Sequence, residues 1–179
     1  MIEANLRSPS AGPWESGSFP REEVALLSSV DVHNHLQNAN IPHELRRIPE
    51  PARTAQRAAA VLGLQPHQII KSVLFYADGR PIMVMIPGDR TVDYGKLKKE
   101  LKASRLRMLS ADEVRQVTGY LIGCTPPVAL KTELPRYIDL QALREDVVYT
   151  GGGEPEMILK IRSYDLVRAT DAEIVDVVR

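Results

Sequence analysis

The stretch Ile69-Ile70-Lys71-Ser72-Val73-Leu74-Phe75-Tyr76-Ala77-Asp78-Gly79-Arg80-Pro81-Ile82-Met83-Val84-Met85-Ile86 holds two apolar, β-branched-rich runs on either side of Asp78-Gly79. Asp-Gly between such runs predicts a hairpin, because both residues tolerate the backbone that a tight turn demands. Outward from this pair, His43–Ile48 alternates weakly and reads as a strand. Thr54 caps a helix containing Arg57, Ala58, Ala59 and Ala60, which Gly63 ends. Downstream, Asp93–Lys102 predicts a lysine-rich helix and Arg105–Leu109 a short strand. Ser110, with Glu113 three residues on, opens a capping-box helix that ends at Gly119. Residues 120–135 read as a long loop. Tyr137–Leu140, Val147–Thr150 and Met157–Ile161 read as strands, Ser163–Val167 as a short helix, and Ala172–Val178 as a last helix or strand. Upstream, Leu26, Val30, His33 and Leu36 trace a stripe in a helix that begins near Arg21 and stops near Asn38–Asn40. Helices and strands interleave, yet hairpins are frequent. The expectation is an α/β fold of the α+β type: a mixed, largely antiparallel sheet with helices packed around it, not a doubly wound parallel sheet.

The chain has 179 residues, 44% of them apolar and 26% charged, with 23 basic residues against 23 acidic. One domain accounts for that length, residues 21–179, preceded by an arm over residues 1–20 that is rich in Pro, Gly and Ser. Trp14 and Phe19 either pin this arm to the body or to a second subunit, or belong to a mobile tail. Zero net charge excludes a bulk polybasic coat but not a local basic face. The single cysteine, Cys124, excludes an internal disulfide and a cysteine-cluster zinc site. No apolar run approaches the roughly 20 residues of a membrane helix. The expectation is a soluble cytoplasmic protein with no membrane association.

Several residues invite a chemical reading, each beside a plain one. His33 and His35 have metal-site spacing, but i and i+2 on a helix do not share a face, so one at the core edge and one solvated is favoured. Cys124 is either a loop nucleophile or an unreactive small residue, with no histidine near it in sequence. Gly151-Gly152-Gly153 is either a flexible turn or a place where backbone N–H groups meet a ligand. Lys96, Lys98, Lys99, Lys102, Arg105 and Arg107 form either a solvated face or a phosphate-backbone footprint. Lys71 is the most informative. A buried, unpaired ammonium costs several kcal/mol (roughly), so Lys71 pairs with a carboxylate, opens into a cleft, or sits at an exposed strand edge.

Over residues 24–178 the chain resembles the YbaK/prolyl-tRNA-synthetase-associated domain family of aminoacyl-tRNA deacylases. The likeness lies in ordered motifs: Thr54-Ala55-Gln56-Arg57-Ala58-Ala59 with Leu62-Gly63, Gln68–Leu74 around Lys71, and Ile86-Pro87-Gly88-Asp89 with Val92-Asp93. Further along come Thr118-Gly119-Tyr120 with the Gly-x-x-x-Pro segment Gly123–Pro127, Leu134-Pro135 with Ile138-Asp139, and Thr150-Gly151-Gly152. The resemblance implies hydrolysis, in trans, of the ester joining a wrong amino acid to the 3′-terminal adenosine of tRNA. It implies a tRNA 3′ end as partner, a synthetase as a further candidate partner, and neither metal nor cofactor. Lys71 would hold the phosphate or ribose of the terminal nucleotide. The backbone of Gly123, Cys124 and Thr125 would form the oxyanion site, with Pro126 and Pro127 stiffening it. Thr54, Ser72, Pro127, Thr150, Gly151, Gly152 and Met157 would line the substrate, with Ser72 and Thr150 orienting water or ribose hydroxyls. Met157, with Glu156 beside it, stands where family members often carry a carboxylate or histidine. Selectivity by size is expected, and alanine on proline tRNA is one possibility among several. Two rivals remain: a non-catalytic tRNA-end or synthetase-binding module, and a small-molecule esterase or nucleotide-binding protein.

Overall fold

The computed structural model describes residues 23–179. The arm expected over residues 1–20, with Trp14 and Phe19, lies outside them. The hairpin forms where its sequence places it: β2 (Ile69–Ala77) and β3 (Arg80–Pro87) pair antiparallel from Ile70↔Pro87 to Ala77↔Arg80. Asp78 and Gly79 turn with φ of 47° and 82°, the two successive positive values of a type I′ turn. The Asp78 carboxylate accepts from the Arg105 and Ser104 backbone N–H groups, which fixes the approach to β4 (Leu106–Met108).

Around this pair runs an eight-stranded mixed sheet. Its order is β1 (Glu44–Arg47), β7 (Met157–Arg162), β6 (Val147–Gly151), β2, β3, β5 (Arg136–Asp139), β8 (Glu173–Val175), with β4 also on β2. The β1/β7, β6/β7, β2/β3 and β2/β4 pairings are antiparallel, and β2/β6, β3/β5 and β5/β8 are parallel. The 172–178 segment, open between helix and strand on sequence, supplies the parallel edge strand β8. Buried Asp139 secures it by accepting from the Val177 and Val178 N–H groups at 2.8 and 3.2 Å.

Strand alternation divides the helices between two faces. On one face Ile69 packs with α2 (Ala55–Leu62), and Phe75 with α3 (Tyr94–Leu101). On the other, Ile70, Leu74 and Tyr76 share the main core with α1 (Ser29–Asn38), α4 (Ala111–Thr118) and α5 (Ser163–Thr170). The caps follow the sequence: Thr54 accepts from Arg57 N–H, and Ser110 and Glu113 form the reciprocal box. Helix α1 corrects the reading of its segment. It starts at Ser29, not near Arg21, because Ser28 caps it and the Asp31 carboxylate returns to the Ser28 N–H at 2.7 Å. Its buried face is therefore Val32 and Leu36, one turn apart, while Leu26 and Val30 are exposed. His33 and His35 are both exposed, so neither sits at the core edge; His33 Nδ1 lies 3.0 Å from His43 Nε2.

Candidate functional site

Strand β2 has one edge fully paired and one edge interrupted. β3 covers the first edge from Ile70 to Ala77. On the other, parallel β6 reaches only Ile69 and Ile70, and antiparallel β4 only Phe75 to Ala77. The Leu109 N–H donates to the Leu74 carbonyl at 3.0 Å on this side. The two-residue period of a strand aims the Ser72 N–H and C=O the same way, into the gap between β6 and β4. A cavity of about 340 Å³ opens at that gap. It is bounded by β2 residues Ile69–Leu74, the N-terminus of α2, the 122–125 loop, and the ends of β6 and β7.

Lys71 opens into this cleft; it does not sit at an exposed sheet edge, and among the described residues it forms no ion pair. It is half-buried on the α2/α3 face, with Nζ 3.5 Å from the Gly88 carbonyl, which also accepts from Gln56 Nε2 at 3.1 Å. Desolvation pulls the Lys71 pKa below the ordinary lysine value, and the nearby Asp89 charge opposes that shift. An ammonium held this way makes no direct ion pair among the described residues, with Asp89 acting only at longer range, and gains from an anion entering the cleft.

Across the cavity, Gly123 has φ of 87°, and a Cβ there would stand 2.6 Å from the Arg53 carbonyl oxygen. The 122–125 loop thus lies directly on the chain leading into α2, with Arg53 at the cavity wall. Cys124 is 3% exposed. Its thiol donates to the Leu121 carbonyl at 3.3 Å, and burial raises its pKa. Raising a thiol pKa lowers its thiolate fraction, the opposite of what a nucleophile needs. The Cys124 N–H is also directed to Leu121 O, and the Thr125 hydroxyl donates to the same oxygen at 3.1 Å. Gly151 passes so close that a Cβ would meet Thr125 O at 2.6 Å, and Gly153 N–H donates to Cys124 O at 3.0 Å. The glycine segment after β6 and the 122–125 loop are therefore in backbone contact.

Of the residues singled out on sequence, the cavity brings together Lys71, Ser72, Thr54, Gly123, Cys124, Thr125, Thr150, Gly151 and Met157. The Thr54 hydroxyl is engaged in capping α2. Gly152 and Pro127 stand outside the lining. A Cβ on Gly152 would meet Met157 O at 2.6 Å, and Pro127 is buried with its carbonyl accepting from Arg136 Nε. The sequence reading missed Arg53, Gln56, Leu74, Leu109 and Val114, and also Met108 and Ile122, apolar residues about half exposed at the cavity. Of these, Gln56 and Leu74 fall inside motifs quoted above. In the lysine-rich segment, Lys96 bridges to Asp176 and Arg107 is held bidentately by Glu113. Those two cations serve the surface of the fold.

Among the described residues no helix is long and apolar enough to cross a membrane. A protein-family model, the aminoacyl-tRNA editing domain, matches residues 49–169. The proline–tRNA ligase of Bacillus licheniformis is 38% identical over 97 residues, which cover 54% of this chain and 17% of the ligase. That of Syntrophus aciditrophicus is 30% identical over 128 residues, 72% of this chain and 19% of the ligase. The match to these relatives thus spans about a fifth of their length. A solved structure of a candidate trans-editing enzyme for prolyl tRNA synthetase superposes with a TM-score of 0.79 at 29% identity, covering 84% of this chain and 96% of that one. The matched segment runs from just before α2 to the end of α5, and so contains the interrupted edge of β2 and the cavity walls contributed by α2, β4, α4, β6 and β7. With those boundaries, the chain belongs to the aminoacyl-tRNA editing domain family.

Proposed function

We propose that this protein hydrolyses, in trans, the ester bond of mischarged aminoacyl-tRNA. The observation that carries the reading is the cleft at the interrupted edge of β2, with an ammonium that makes no direct ion pair among the described residues on one wall and a backbone loop on the other. An aminoacyl ester is already activated, so the protein needs to position it, admit a water and stabilise the tetrahedral oxyanion. Lys71, with exposed Arg53 on the facing wall, takes the phosphate or ribose of the terminal adenosine. Met108 and Ile122 offer apolar surface to its base. Water adds to the ester carbonyl carbon. The oxyanion faces the loop, where Gly123 and Thr125 supply N–H groups, since that of Cys124 is turned to Leu121. The carbon–oxygen bond to the ribose then breaks, giving the free amino acid and a tRNA with a free terminal hydroxyl. The neighbouring ribose hydroxyl relays the proton from water to the leaving oxygen, so the reaction uses no side-chain base, consistent with a Cys124 thiol held in its neutral form.

The match to part of proline–tRNA ligases makes mischarged proline tRNAs the first substrates to test, and a synthetase of that type the first partner. The experiment is single-turnover deacylation across a panel of mischarged tRNAs. Release of amino acid well above the uncatalysed rate is expected for at least one ester. Tight binding of the tRNAs with no release across the panel would identify a binding module instead.

A further inference from the structure

The cavity contains two buried hydroxyls that none of the described residues satisfies. Ser72 Oγ and Thr150 Oγ1 have no hydrogen-bond partner among the described residues, and Thr150 is fully buried. Both residues line the cavity. Thr150 stands opposite Ile70 in the β2/β6 ladder and Ser72 is two residues beyond Ile70, so the two side chains share a face of the sheet. That is the α4 face, opposite to the one from which Lys71 projects. Buried Leu74, Leu109 and Val114 complete this end of the cavity.

We infer that the amino acid admitted to this end carries a short hydroxylated side chain, serine or threonine. The inference rests on the deacylase reading above. With the terminal nucleotide held at Lys71 on one face, the group that passes beyond β2 to the other is the leading end of the substrate, its amino-acid side chain. A ribose would place its ring and two hydroxyls against three aliphatic side chains. A single short hydroxyl fits both the polar pair and the apolar walls, donating to one oxygen and accepting from the other. An alanine side chain leaves both hydroxyls unpaired. A valine, isosteric with threonine, sets a methyl against them. A site built to hydrogen-bond a substrate hydroxyl rejects the analogue lacking it far more strongly than an apolar pocket rejects a missing methylene.

The test acylates one tRNA separately with serine, threonine, alanine and valine and compares kcat/KM. Serine over alanine and threonine over valine are each expected to exceed about 10²-fold. Thr150→Val and Ser72→Ala should each shrink these ratios about tenfold or more, while Thr150→Ser preserves them. Thr150→Val should melt no lower than wild type, because a methyl replaces an unpaired hydroxyl. Alanine or valine released as fast as its hydroxylated counterpart overturns the inference and leaves the deacylase reading standing. Ratios that both variants leave unchanged overturn the assignment to these hydroxyls. Release of none of the four, by a preparation that hydrolyses another ester, overturns the inference alone. Release of no ester at all overturns both. If a variant fails to fold, the wild-type ratios still decide.

Discussion

The two edges of β2 are built to opposite ends. Against β3, eight consecutive residue pairs run without a break into a two-residue turn, and Ile82, Val84 and Ile86 bury themselves with Phe75 beneath α3. Against β6 and β4 the ladder opens after Ile70 and closes again at Phe75. Along that gap lie a half-buried ammonium, two unpaired hydroxyls and strand backbone without a strand partner. Satisfied groups stabilise a fold, whereas unsatisfied ones are kept at a cost in stability and acquire partners when a ligand enters. One edge of the strand therefore holds the domain together and the other is free to bind, so substitutions on the two sides should separate stability from activity.

The sharpest separation comes from Lys71 and Ile82. Lys71→Ala should lower single-turnover deacylation by about 10³-fold or more, equivalent to about 4 kcal/mol of transition-state stabilisation. Its melting temperature should stay near wild type, because the lost group is a partly desolvated charge with no ion-pair partner. Ile82→Ala, on the closed edge and 4% exposed, should cost about 2–5 kcal/mol of stability while the folded fraction retains its rate. Denaturant titration and deacylation on the same preparations give both axes. A Lys71 variant that is active, or an Ile82 variant that is inactive though folded, breaks the comparison.

Gly123→Ala tests the wall facing the gap. The φ of 87° and the 2.6 Å approach to Arg53 O mean that a methyl forces the loop off the chain before α2. Loss of an oxyanion donor costs about 10²–10³ in rate. The rate constant should fall that far, while affinity for uncharged tRNA or a nonhydrolysable aminoacyl-adenosine analogue changes much less. Equal losses in both would make this loop a binding element only, and an unchanged rate would move the oxyanion site elsewhere.

Much of the closed edge is legible in sequence and little of the open one. Asp78-Gly79, Thr54, Gly63 and the Ser110/Glu113 box act within a few residues, so their chemistry specifies local structure directly. The gap exists because β4 stops at Met108 and β6 at Gly151, more than forty residues apart, and no local pattern reports where two distant strands leave a third uncovered. Lys71 betrayed the cleft because a charge inside an apolar run has to face something. Val114 and Leu109 did not, because they read as ordinary core. The glycine run and the Gly123–Pro127 segment were recognisable as motifs, but motif membership did not separate Gly151, at the cavity, from Gly152, packed on Met157 O. In α1 the box of Ser28 and Asp31 was present in the chain, yet the looser stripe through Leu26 and Val30 obscured it.

A smaller effect should come from what steadies the rim of the gap. Glu154 follows the glycine segment, and its carboxylate accepts from the Ser29 hydroxyl and, at 3.0 Å, from the Ser29 N–H at the start of α1. Those bonds hold its pKa below the usual glutamate value of 4.5. A carboxyl with a lowered folded-state pKa contributes stability that is fully present above the unfolded value and is lost as pH falls through the folded one. Glu154→Gln should therefore cost about 1 kcal/mol at pH 7, the size of a carboxylate at a helix N-terminus. The gap to wild type should narrow as pH drops below about 4.5. Melting curves across that range check it, and a difference independent of pH would show that shape, not charge, ties the segment to α1.

The smallest change is expected at Cys124, although it sits in the middle of the site loop. Its thiol is buried, its pKa is raised, and its hydrogen bond runs inward to Leu121 O, away from the gap. A serine hydroxyl can make the same donation in nearly the same volume. Activity then depends on the backbone that Cys124 shares with Gly123 and Thr125 and not on sulfur. Cys124→Ser should keep deacylation within about tenfold of wild type, less than 1.4 kcal/mol in the barrier, and thiol-alkylating reagents should react slowly with the native protein. A loss of about 10³-fold with the fold intact would turn the site into one with a covalent nucleophile, and the open edge of β2 would then position a substrate for attack by sulfur instead of water.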